Sequence, residues 1–134
     1  MIQRDYLLAI IEDFFRALAL VLERIIKKGG KKEDVEKDID KLYFKFLENN
    51  RTYFLTNNLQ DTIRAFSDPT KVKMQKEILA ELLYQELKVF DYNIDKKKVA
   101  TDLLNLYDDI DQTDQTVSFE RETRRQEVRM WLEQ

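Results

Sequence analysis

Acidic and amide side chains recur at two-residue intervals in two places. Asp109-x-Asp111-x-Thr113 is followed by Glu120 at the twelfth position, and Asp91-x-Asn93-x-Asp95 by Asp102. Both spell fragments of a calcium loop, in which alternate oxygens and a closing carboxylate surround the ion. That loop needs a glycine at position six for its sharp turn. Asp114 and Lys96 stand there instead, and Lys96, Lys97 and Lys98 would oppose a cation. The plainer reading is that these are turn and helix-cap carboxylates. No metal ligand is assigned.

A second charged constellation is Arg121, Arg124, Arg125 and Arg129. Guanidinium groups spread along one helix suit phosphate or an acidic partner. Glu120, Glu122 and Glu127 are interspersed at spacings that favour pairing within the helix. A self-paired, solvated helix is the expectation, with a polyanion patch as the alternative. Tyr43, Phe44, Phe46, Tyr53 and Phe54 cluster in sequence. Aromatics at helical spacing are usually core, but Phe44 falls off the apolar stripe and would be a partner-binding anchor if exposed.

The sequence has no cysteine and no histidine. Disulfides, thiolate metal sites and the commonest general base are therefore absent. Ser67 and Ser118 have no imidazole to activate them. Carboxylates could build a catalytic pair or a metal site, but no Glu-x-x-His pattern raises that idea. No catalytic residue and no cofactor is assigned. A net charge of −3 argues against a dedicated nucleic-acid binder.

The elements that would position these groups are helical. Only two glycines and one proline occur in 134 residues, too few for the turns of a β-rich protein. The chain is expected to be one all-α domain of five or six helices, stacked as antiparallel hairpins in a tetratricopeptide-like superhelix. Its long first helix, residues 1–28, should be central. Leu7, Ile11, Phe14, Leu18, Val21 and Ile25 form an alternating 4,3 seam. Leu8, Phe15, Ala19, Leu22 and Ile26 form a second, broken at Glu12. Together they span an arc of roughly 200°, about twice what a surface helix needs. The second seam is either inner core or a self-association face. Glu12, Asp13 and Arg16 interrupt the apolar run too early for a signal peptide or a membrane span. Acids match bases on the polar side, unlike an interfacial membrane helix. A cytoplasmic location follows as the default.

Gly29-Gly30 should cap that helix. A second helix over 32–48 buries Val35, Ile39, Leu42, Tyr43, Phe46 and Leu47. Asn49-Asn50 should end that helix, residues 49–58 are the least regular, and Thr56, Asn57 or Asn58 could cap a short helix through Phe66. Ser67-Asp68-Pro69 reads as the start of a helix to about Phe90. Asp95 should cap a helix to about Asp111, followed by a polar loop over 111–116. Ser118 should cap a last helix, poor in apolar residues, that docks by its ends.

The layout resembles a family of small uncharacterised all-helical bacterial proteins. The likeness is carried by Met1 to Tyr6, by Phe14-Phe15-Arg16-Ala17-Leu18, by Leu79 to Leu83 and by Ser118-Phe119-Glu120-Arg121. It covers most of the chain and implies no activity. The hairpins are similar to tetratricopeptide repeats in one unit: with Ala100 at the small position, Tyr84, Leu87 and Leu104 fall on large ones. Lys88 and Asp91 depart from that pattern, which favours stacked hairpins over a peptide-binding groove. These observations lead to a non-enzymatic interaction or scaffold protein whose partner is another protein or itself, as a homodimer. The alternatives are a carboxylate-based metal protein or enzyme, and weak phosphate or nucleic-acid binding by the C-terminal arginine helix.

Overall fold

A computed structural model describes residues 2–28, 32–90, 94–114 and 118–134. The described residues form seven α-helices and a π-helical turn, with no strand. In chain order these are α1 (Ile2–Lys28), α2 (Lys32–Leu47), α3 (Arg51–Thr56), α4 (Leu59–Ala65), α5 (Val72–Gln85), the π-helical turn (Glu86–Phe90), α6 (Lys96–Asp114) and α7 (Phe119–Glu133). The chain is all-α. It divides into two compact units, residues 1–78 and 79–134, with α5 contributing to both.

In the N-terminal unit, α1 and α2 form an antiparallel hairpin. Arg24 pairs with Asp38, and Asp13 with Lys45 at 3.3 Å. Phe14 meets Phe46 edge-to-face at 5.2 Å. The first seam of α1 faces inward: Phe14, Leu18 and Val21 are buried, and Leu7, Ile11 and Ile25 half-buried. On α2 every residue of the expected stripe is buried. The Gly29-Gly30 cap lies outside the described residues.

Residues 49–58 are more regular than expected, because Asn50 nucleates α3. Its side chain accepts from Tyr53 N at 2.7 Å, a cap hydrogen bond. Tyr43 then stacks on Phe54 at 5.6 Å. Asn58 caps α4, accepting from Gln60 N and Asp61 N. The entry to α5 turns on Asp68, the residue before Pro69. The Asp68 carboxylate accepts from Thr70 N and Thr70 Oγ1, and its carbonyl from Val72 N. Those Thr70 hydrogen bonds hold the Asp68 carboxyl below its ordinary value.

The longest unbroken buried stretch lies at the end of α5 and the start of the π-helical turn, not in α1. Residues 78–86 are buried without a break, including Glu81 and Glu86. By contrast Leu8, Phe15, Leu20 and Ile26 of α1 are exposed. The outer part of the wide apolar arc of α1 is therefore left uncovered.

In the C-terminal unit, α6 and α7 run antiparallel, linked by Arg121–Asp111 and Arg125–Asp108 pairs. Asp95 caps α6, accepting from Lys98 N at 3.1 Å, and Ser118 caps α7, accepting from Arg121 N at 3.2 Å. The expected loop after Asp111 is helical through Asp114. A continuous helix cannot wrap a cation as a calcium loop does, and Asp111 is taken by arginines. Residues 91–93 of the other acidic turn lie outside the described residues.

Candidate interaction surface

At 100° per residue, Leu8, Phe15, Ala19, Leu22 and Ile26 project within an arc of about 60° along about 27 Å of α1. Phe15 is 49% exposed, Leu8 47% and Ile26 75%. Ala19 is exposed and Leu22 half-buried. A contiguous exposed apolar strip beside a core face is what makes a helix surface a candidate for interaction. Arg16 and Glu23 flank it on the open side and are themselves exposed. Glu23 also takes Lys27 as an i,i+4 partner at 3.3 Å. Phe44 is a second exposed aromatic at 60%. It stands apart from Tyr43, Tyr53, Phe54 and Phe66, which pack on one another.

The arginine helix has a different character from the expected patch. Arg121, Arg124 and Arg125 do not project as free cations. Arg125 is buried and is held by Glu122, Asp111 and Asp108. Arg121 Nε donates to Asp111 at 2.8 Å. Arg124 pairs with Glu81 of α5 and with Glu120 at 3.1 Å, its guanidinium lying 4.2 Å from the centre of the Tyr84 ring. Only part of this pairing is within the helix; the other partners come from α5 and α6, and of these Glu81 is buried. Arg129 is exposed. Burial alone would raise the Asp111 carboxyl, but its hydrogen bonds from Arg125 and Arg121 hold it below its ordinary value. A guanidinium already clasped by carboxylates is a poor anchor for phosphate, since the incoming anion must displace them.

Around this clasp sits a polar network that sequence reasoning missed. Tyr84 Oη donates to Glu127 at 3.1 Å and accepts from Lys88 Nζ at 3.3 Å. Its ring packs against Trp131 at 5.7 Å. Burial pushes the Tyr84 phenol up, with Lys88 pulling it back. Burial likewise pushes the Tyr107 phenol up. The available signal was Glu81, a carboxylate inside the apolar run Leu79–Leu83. An acid in such a run needs a cation, and the last helix supplies one. The last helix therefore docks along its length, through Arg121, Arg125, Val128 and Trp131, and not by its ends alone. Phe119, near its start, is 87% exposed.

A groove of about 740 Å³ opens beside Trp131, with Leu87, Lys88, Lys97 and Leu132 among its walls. Among the described residues no group of three or more acids is placed to hold a metal ion, and no helix is long and apolar enough to cross a membrane. No known protein family, curated protein or solved structure matches this chain.

Proposed function

We propose that this chain is a non-enzymatic scaffold that associates with itself through the outer seam of α1. The observation that carries the reading is the strip of Leu8, Phe15, Ala19, Leu22 and Ile26, left open beside an inner seam whose Phe14, Leu18 and Val21 are buried. Covering half-exposed Phe and Ile side chains with a second apolar face gains about 25 cal/mol for each Å² removed from water. The antiparallel hairpin α1–α2 carries the strip on one face of a packed helix pair. Paired arginines speak for internal structure and against phosphate capture.

Size-exclusion chromatography with light scattering tests the reading. At tens of micromolar the mass is expected at twice the 16.2 kDa of one chain, falling to one chain in Phe15→Glu. A strict monomer for the unaltered protein at that concentration would sink it.

A further inference from the structure

We propose that α1 pairs antiparallel with α1 of a second copy of this chain, with Phe15 facing the partner's Ile26 and Ala19 facing the partner's Leu22. The inference rests on the self-association reading and adds its geometry. Leu8, Glu12, Phe15, Ala19, Leu22 and Ile26 alternate four and three residues apart. That is the spacing of a two-helix seam, in which each side chain seats between those of the facing helix.

Charge selects among the ways of closing it. In a parallel pair every layer meets its own copy, so Glu12 would lie against the partner's Glu12 in an apolar seam. Like charges taken from water there are costly. An antiparallel pair centred between Phe15 and Ala19 uses the whole strip, with Leu8 on the partner's Ile26. However, it presses Glu12 onto the partner's Leu22 and brings Arg16 beside its own copy. Moving the centre to lie between Ala19 and Leu22 removes both faults. Glu12 and Leu8 then fall beyond the paired layers. Arg16 meets the partner's Glu23, and two-fold symmetry makes the same pair again on the other half. Size agrees as well, since small Ala19 sits opposite the larger Leu22 at the centre and lets the backbones approach.

Single and combined charge reversals in the full chain, read by analytical ultracentrifugation, test the register. Arg16 and Glu23 are exposed, so reversal does not disturb the core. Arg16→Glu alone and Glu23→Arg alone should each weaken the dimer about tenfold or more, because each turns two attractive pairs into repulsive ones. The double variant R16E/E23R should recover it. An equimolar mixture of the two single variants should also recover it, as a heterodimer. Leu8→Lys should leave association unchanged. A dimer that ignores both charge reversals, or that Leu8→Lys disrupts, overturns this register while leaving self-association standing. An unaltered chain that stays monomeric overturns both.

Discussion

Glu48 holds φ at 64°, the left-handed region, where a Cβ is crowded by the following carbonyl. Its N–H donates to Phe44 O at 3.0 Å and so closes the end of α2. Glycine is the residue that ends helices this way at no steric cost. Glu48→Gly is expected to stabilise the fold by about 0.5–1 kcal/mol, read as a higher urea midpoint with an unchanged slope. Asp111 makes a prediction about pH. Its carboxyl sits below its ordinary value in the folded chain, held there by Arg125 and Arg121 against the effect of burial. It therefore favours the folded state at and above ordinary carboxylate pH, and that contribution is lost as pH falls through its folded value. Arg125→Met should cost about 1 kcal/mol at neutral pH, the pairs being partly screened by water. The variant should also show a shallower loss of stability on acidification, measured by urea unfolding from pH 6 down to pH 3. An equal acid slope in both proteins would remove Asp111 from the account.

Helices reveal which features local pattern carries. The stripe of α2 and the caps at Asn58, Asp95 and Ser118 were legible, because they depend on residues a few positions apart. Asn50 was legible only as a stop signal. In the structure Glu48 closes α2 and Asn50 starts α3, whose Phe54 stacks on Tyr43 of α2. Asn50→Ala should cost about 1 kcal/mol by removing the hydrogen bond to Tyr53 N, again read from a urea midpoint. The partners of the arginines were not legible, since Glu81 and Arg124 are 43 positions apart and no periodicity links them. The unbroken burial of residues 78–86 was hidden for a similar reason. That run, from α5 into the π-helical turn, contains Glu81, Gln85 and Glu86, which break an apolar pattern while being buried all the same. The outer seam of α1 was visible as a choice between core and interface, and exposure of Phe15 and Ile26 is what bears on that choice.

Across the whole molecule, association and folding are linked by mass action. If copies pair through α1, the thermal midpoint should rise with protein concentration, and Phe15→Glu should abolish that dependence while keeping the helical circular dichroism. A concentration-independent midpoint for the unaltered chain would count against pairing. The packing of Trp131 on Tyr84 has a practical consequence here. It is the sole tryptophan, and it sits in the C-terminal unit on the face where α7 meets Tyr84. Its emission is an intrinsic optical probe of α7 docking, needing no label, whereas α1 carries no such chromophore. Dilution that parts two copies should show itself in mass. Acid that opens the Asp111 clasp should show itself as a red shift in the light from Trp131.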